Sequence, residues 1–139
     1  MISVDYRHEF GYLPAGRNRS FPGLPIQIRN PNVPDQAVEV PAHLDSGTEC
    51  SLFGGWIARS IGLDLLDGPP RHYASTAGAS IEARVHRVAL IHHLLGTFPL
   101  EVGFSVSNIH RNLLGRDFFN LLQIGFRERH LAFYVTPSP

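Results

Sequence analysis

The 139-residue chain has the size of one globular domain, and its 43% hydrophobic content is enough to form a single core. Twelve basic residues balance twelve acidic ones, so no net charge would attract nucleic acid or an anionic membrane. No apolar run in the sequence is long enough to cross a bilayer. These properties leave protein or peptide partners as the favoured class, and we expect neither a nucleic-acid partner nor a membrane partner.

Residues 1–20 show no regular hydrophobic period, which predicts a loosely ordered N-terminal arm followed by one folded domain over residues 21–139. The first nine residues lack an apolar segment of signal-peptide length. Cys50 is the only cysteine, so it cannot form an internal disulfide and it fits a reducing compartment. We therefore expect a cytoplasmic location.

Four later segments alternate apolar and other residues with the period of two that is typical of β-strands. Their apolar positions are Leu24, Ile26 and Ile28; Val38, Val40, Ala42 and Leu44; Leu100, Val102, Phe104 and Val106; and Leu131, Phe133 and Val135. Clusters of Pro, Asn, Gly and Asp separate these segments and favour turns. Residues 56–61 and 116–122 break the alternation, and each stretch fits a short helix. The pattern predicts an all-β sandwich or barrel.

The segment at residues 45–48 carries the first candidate for chemistry, because it places a carboxylate directly after an alternating strand. Asp45, Ser46 and Gly47 are favoured turn residues, so an ordinary Asx turn explains them on structural grounds alone. At average residue frequencies, an Asp-[Ser/Thr]-Gly triplet occurs by chance in roughly one in fifteen chains of this length. The triplet is therefore weak evidence by itself.

A second candidate segment lies near the C-terminus, where two leucines precede Gly115, Arg116 and Asp117. Taken alone, this segment fits the start of a helix, because a negative side chain such as that of Asp117 is favoured in the first helical turn.

Together, the two segments resemble the retropepsin-like aspartic proteases. Monomers of that family carry an apolar-apolar-Asp-[Thr/Ser]-Gly-[Ala/Ser/Thr] motif and later an apolar-apolar-Gly-Arg-Asp motif before a C-terminal helix, and the order and spacing match over residues 24–135. The resemblance implies an all-β closed barrel with a flap hairpin and one short C-terminal helix. It also implies an aspartic endopeptidase that acts on a peptide or protein substrate as a homodimer. The two Asp45 carboxyls would activate water, and no metal or organic cofactor is implied.

The resemblance also suggests roles for the residues around Asp45. The hydroxyl of Ser46 would hold together the two loops that carry Asp45, one from each chain of the dimer. Gly47 would permit the close backbone approach that the turn requires. Thr48 can donate a hydrogen bond to the catalytic carboxylate and favour its ionised form. Glu49 is expected to form an ion pair with Arg116.

Between the two motifs lies the segment where the family has its substrate-covering flap. Its small residues suit a mobile tip, although a plain surface hairpin would have a similar sequence. The predicted flap tip comprises Ser75, Thr76, Ala77, Gly78 and Ala79.

Two other functions remain open at the level of sequence. The chain could be a catalytically weak dimer with the same fold that binds peptides or serves assembly, because fold does not determine function. It could also be a thiol hydrolase that uses Cys50. The histidines His86, His92 and His93 lack the spacing of a metal site, and we expect no metal ligands among them.

Overall fold

The computed structural model describes residues 1–75 and 78–138, which form twelve strands, two short α-helices and two 3-10 turns. The strands are β1 His8–Gly11, β2 Leu13–Pro14, β3 Ser20–Phe21, β4 Gly23–Arg29, β5 Ala37–Leu44, β6 Leu52–Gly54, β7 Pro70–Ala74, β8 Ser80–His92, β9 Gly96–Ser105, β10 Asn112–Leu114, β11 Leu122–Arg127 and β12 Ala132–Pro137. The helices are α1 Gly55–Ser60 and α2 Arg116–Phe119, and the 3-10 turns are Leu65–Asp67 and Glu128–His130.

Six of these strands close into a barrel. They follow the order β4, β5, β10, β6, β9 and β8, and β8 pairs back with β4 to complete the circuit. Strand β10 lies between β5 and β6, parallel to the first and antiparallel to the second. The all-β closed barrel expected from the sequence is therefore confirmed.

The alternation seen in the sequence places one face of each barrel strand in the core. Leu24, Ile26 and Ile28 on β4 are fully buried, and the apolar positions of β5 and β9 also face inward. Two positions expected on this face are exposed instead. Val106 follows the last residue of β9, and Leu131 lies in a left-handed turn (φ 50°) just before β12.

Strand β8 is thirteen residues long and pairs with three other strands of the same sheet. Its first half pairs with β7 to form a hairpin, whereas the half nearer the C-terminus pairs with β9 and with β4. At the hairpin tip, the Ser75 amide donates to the Ala79 carbonyl at 3.0 Å, and Gly78 has a positive φ of 82°. Thr76 and Ala77, which also belong to the predicted flap, lie outside the described residues.

Both helices begin within one residue of the position that the sequence indicated. Helix α1 covers most of the stretch predicted at residues 56–61, so the described chain contains a short helix in addition to the C-terminal one. Helix α2 begins at Arg116, as expected, but it ends at Phe119, before the predicted end at residue 122, where β11 begins. None of the helices within the described residues has the length and apolar character needed to cross a bilayer.

Part of the N-terminal segment pairs with the C-terminal strand. β1 is antiparallel to β12, and Phe10 stacks on Phe133 with ring centroids 5.3 Å apart. β2 pairs with β3 in a separate two-stranded hairpin. The division into an arm over residues 1–20 and a domain over residues 21–139 stays a prediction.

Candidate active site

The loop that carries Asp45 begins where two parallel strands end side by side. Leu44 of β5 pairs with Leu114 of β10, and the Asp45 amide donates to the Leu114 carbonyl at 2.9 Å. Since both strands belong to the closed barrel, the backbone of Asp45 is held by residues from two distant parts of the chain. The carboxylate consequently emerges from a rigid edge of the core.

The loop itself holds both oxygens of the Asp45 carboxylate. The Gly47 amide donates to Oδ1 at 2.9 Å, and the Thr48 hydroxyl donates to Oδ2 at 3.0 Å. The second contact is the hydrogen bond that the sequence led us to expect from Thr48. Asp45 is half-buried, whereas Ser46 is exposed, and its hydroxyl makes no hydrogen bond within the described part of this chain.

The second motif packs directly beneath this loop. The Arg116 amide donates to the Thr48 carbonyl at 2.8 Å, and the Asp117 amide donates to the Glu49 carbonyl at 3.1 Å. A Cβ atom on Gly115 would lie 2.6 Å from the Thr48 carbonyl oxygen, so only glycine allows the two segments to approach this closely. The structure therefore brings together the two motifs that the sequence singled out.

Ser51 connects the two motifs and was not identified from the sequence. Its hydroxyl donates to Asp117 Oδ1 at 2.7 Å and accepts from the Gly115 amide at 3.0 Å, while its own amide donates to Asp117 Oδ2 at 2.8 Å. Ser51 is fully buried. An ordinary serine after the motif gives no local signal, because both partners lie more than sixty residues away.

The expected ion pair between Glu49 and Arg116 is not formed in this chain. Among residues 1–75 and 78–138, the one ion pair within 4.0 Å joins Arg84 to Glu82. Both Glu49 and Arg116 have exposed side chains, whose charges water can solvate. Backbone hydrogen bonds and the partly buried hydrogen bonds of the Asp117 carboxylate hold the two segments together instead.

A cavity of about 520 Å³ lies between this loop and the β7–β8 hairpin. The hairpin contributes Arg71, His72, Tyr73, Ala74 and Ile81, and the loop and the strands behind it contribute Gly47, Thr48, Glu49, Cys50, Leu52, Leu113 and Arg116. The β7–β8 hairpin, which contains the predicted flap, therefore borders the same cavity as the loop that follows Asp45. Its predicted role as a moving cover stays a prediction.

Tyr73 ties the hairpin to the base of the active loop. Its hydroxyl donates to the Ser51 carbonyl at 2.9 Å, and the Gly103 amide donates to the same oxygen at 3.0 Å. Burial is the main reason that the pKa of Tyr73 is raised above its ordinary value. Tyr73 therefore stays protonated at neutral pH and remains a hydrogen-bond donor.

His43 is a second neighbour of the site that the sequence did not reveal. It precedes Asp45 by two residues, and its ring stacks on Phe21 with centroids 3.6 Å apart and planes 3° apart. Burial and the charge of Arg111 lower the pKa of His43, although Asp45 acts in the opposite direction. The lowered pKa favours the neutral form of the His43 ring.

Cys50 lies in the cavity wall, but its thiol makes no hydrogen bond to a histidine within the described residues. A thiol hydrolase needs such a base close to the sulfur.

Within residues 1–75 and 78–138, no three His, Cys, Asp or Glu side chains are grouped as metal ligands would be.

Comparison with known proteins identifies the fold. No protein-family model matches the chain, and no curated protein sequence matches it significantly. Among solved structures, the chain is similar to a retropepsin-like aspartic protease from Rickettsia conorii, with a TM-score of 0.63 and 13% identity over 99% of this chain and 100% of the other. It is also similar to EIAV protease complexed with the inhibitor HBY-793, with a TM-score of 0.55 and 14% identity over 78% of this chain and 92% of the other. The chain therefore has the fold of the retropepsin-like aspartic proteases.

Proposed function

We propose that this protein is an aspartic endopeptidase whose catalytic pair consists of the Asp45 carboxyls of two identical chains. The observation that carries the proposal is the position of Asp45. Its carboxylate accepts hydrogen bonds from Gly47 and Thr48, and these two residues line a cavity that residues of the β7–β8 hairpin also line. The likeness to two solved aspartic proteases supports the same assignment.

The chemistry explains why two carboxyls are needed. Hydrolysis of a peptide bond without a covalent intermediate requires a base that activates water and an acid that protonates the carbonyl oxygen. Two adjacent carboxyls that share one proton perform both tasks, because the ionised member is the base and the protonated member is the acid. Attack transfers a proton from water to the base and the proton of the acid to the carbonyl oxygen. The pair then donates its proton to the amide nitrogen, the C–N bond breaks, and one hydroxyl of the intermediate returns a proton to the pair.

A second copy of the chain is the simplest source of the second carboxyl. Asp45 is the single Asp within an Asp-Ser-Gly sequence, and a two-fold axis beside its loop would bring the same carboxyl from each copy together. Ser46 is exposed next to it and makes no side-chain hydrogen bond in the described single chain. Its hydroxyl is therefore available for a contact with the partner loop.

The decisive experiment is cleavage of a peptide library by the wild-type protein and by Asp45→Asn. The amide has nearly the same shape but cannot act as a base, so we expect a rate loss of about 10²-fold or more with the fold unchanged. Asp64→Asn is the matched control, because it makes the same change at an exposed residue outside the cavity. Cleavage sites and rates are read by mass spectrometry.

Each alternative predicts a different result in the same assay. A thiol hydrolase would lose activity in Cys50→Ala and keep it in Asp45→Asn. A dimer that binds the peptides without cutting them would identify a binding or assembly module. Cleavage by Asp45→Asn at the wild-type rate would contradict the proposed mechanism.

A further inference from the structure

Arg71 lines the cavity that the β7–β8 hairpin shares with the Asp45 loop. It belongs to β7, in which Arg71 and Tyr73 turn inward while the residues on either side are exposed. Arg71 lines the same cavity as Gly47 and Thr48 of the active loop. A peptide in extended conformation advances about 3.3 Å per residue, so a side chain that reaches Arg71 lies within a few residues of the scissile bond.

The hydrogen-bonding capacity of Arg71 is mostly unused. A guanidinium group has five N–H donors. Within the part of the chain that the structure describes, one of them is used, in a long contact of 3.4 Å from Nη1 to the Tyr73 hydroxyl. Among the described residues, no carboxylate lies within 4.0 Å of the Arg71 guanidinium, and a half-buried cation gains when a carboxylate partner binds it.

The acidic side chains near Arg71 in the described part of the chain do not form an ion pair with it. The Asp117 carboxylate already accepts hydrogen bonds from the Ser51 amide, the Ser51 hydroxyl and the Phe118 amide. It still acts on Arg71 at longer range. Burial lowers the pKa of Arg71, but Tyr73, Cys50 and Asp117 together outweigh burial, and the pKa is raised.

The charged residues that line the cavity also favour an acidic ligand. Arg71 and Arg116 carry two positive charges, and Glu49 carries one negative charge. The side chains of Glu49 and Arg116 are exposed, whereas that of Arg71, on strand β7 of the hairpin, is half-buried. An acidic side chain is therefore favoured in this part of the cavity, most strongly next to Arg71.

We infer that Arg71 is a specificity-determining residue that binds an Asp or Glu side chain of the peptide substrate. The inference rests on the proposed function only in taking the cavity as the peptide-binding site. The fork of the guanidinium fits a carboxylate with two parallel hydrogen bonds. Tyr73 holds the group in place, since its own hydroxyl is fixed by the Ser51 carbonyl.

The test measures binding separately from cleavage. Matched pairs of ten-residue peptides, with Glu or Gln at one position that is moved along the peptide, are arrayed and probed with fluorescently labelled Asp45→Asn protein. A hydrogen-bonded charge pair is expected to favour the Glu member about tenfold at the position that reaches Arg71. Raising the salt concentration should reduce this preference.

Substitutions in the Asp45→Asn protein assign the preference to one residue. Arg71→Gln should make the Glu and Gln peptides bind equally, and Arg71→Lys should restore part of the preference, because it keeps the charge but loses the fork. Arg87→Gln is the matched control, since it removes one charge from an exposed position of β8 outside the cavity. It should leave the preference unchanged.

Three results would overturn the inference: equal binding of Glu and Gln peptides to the protein with intact Arg71, a preference that survives in Arg71→Gln, or no binding of either peptide. Cleavage of the same peptides by the wild-type protein tests the proposed function independently. Glu-selective binding without cleavage would remove the protease assignment and keep the Arg71 site. Cleavage without selective binding of the Glu peptides would keep the protease assignment and remove the Arg71 site.

Discussion

Ser51 is the residue on which the architecture of the site most depends. It satisfies the Gly115 amide and both oxygens of Asp117, and its carbonyl receives the Tyr73 hydroxyl and the Gly103 amide. All of these contacts are buried or partly buried. In such an environment, a polar group that loses its partner retains its full desolvation cost.

We predict that Ser51→Ala destabilises the protein by about 1–3 kcal/mol, because it leaves the buried Gly115 amide without an acceptor and removes one of the two donors to Asp117 Oδ1. Urea unfolding followed by circular dichroism measures the change. The control is Ser60→Ala, which removes an exposed hydroxyl that contacts the Trp56 carbonyl and should cost less than about 0.5 kcal/mol. Equal effects of the two substitutions would argue against the importance of Ser51.

At the scale of residues, sequence reasoning succeeded where the signal is local. Asp45, Gly47 and Thr48 lie within four consecutive positions, and the structure joins them by short hydrogen bonds. Ser51 and Arg71 were missed because their surroundings are assembled by folding. The Glu49–Arg116 pair was expected from the resemblance alone, and in this chain both side chains remain in solvent.

At the scale of elements, the turn between β8 and β9 contains a buried histidine. His92 is 3% exposed, and its Nδ1 accepts hydrogen bonds from the amides of Leu94 at 3.1 Å and Leu95 at 3.4 Å. Burial, followed by the charges of His93 and His8, lowers the pKa of His92 to about 4. A proton on Nδ1 would turn this acceptor into a donor that faces two other donors.

We predict that this turn makes the protein less stable in mild acid. Between the ordinary histidine pKa of 6.5 and the folded value of about 4, the unfolded chain binds more protons, so stability is complete above 6.5 and falls as pH drops toward 4. The loss is at most about 3 kcal/mol. Urea unfolding at a series of pH values measures it.

His92→Asn provides the test of this assignment, because the asparagine oxygen can accept the same amide hydrogens and does not titrate. The variant should show a flatter dependence of stability on pH than the wild type. His93→Asn, at the exposed neighbouring position, should leave most of the dependence in place. An identical slope in His92→Asn and wild type would assign the acid sensitivity to other groups.

The elements also show what periodicity can and cannot predict. β4 and β5 were predicted because one face of each is apolar and buried, and the two helical stretches were predicted because they break the alternation. β8 was missed, although it is the longest strand. Its sequence mixes Arg, His and Glu with apolar residues because one half borders the hairpin while the other lies in the barrel.

For the whole molecule, the proposed mechanism makes activity depend on association. If each active site needs Asp45 from two chains, specific activity should fall on dilution below the dissociation constant of the dimer. Activity and sedimentation measured over the same concentration series should then change together. A monomer with full activity would exclude the shared catalytic pair.

Mixing subunits gives a sharper version of this test. When an equal amount of Asp45→Asn chain is added and the chains exchange at random, about half of the wild-type activity should remain, because mixed dimers hold one intact carboxyl each. Independent monomers would retain all of it. The Asp64→Asn chain serves as the control, since its dimers with wild type should remain fully active.

The position of β10 determines when the barrel can close during synthesis of the chain. Asn112 pairs with Ala42, so the strand that separates β5 from β6 comes from much later in the chain than either of them. Pairing between such distant segments is non-local, and non-local pairing is typical of domains that fold in milliseconds to seconds. During synthesis, a nascent chain that ends before residue 112 lacks the carbonyl that anchors the Asp45 amide. The ribosome must therefore produce most of the protein before the loop that carries Asp45 can take its final shape.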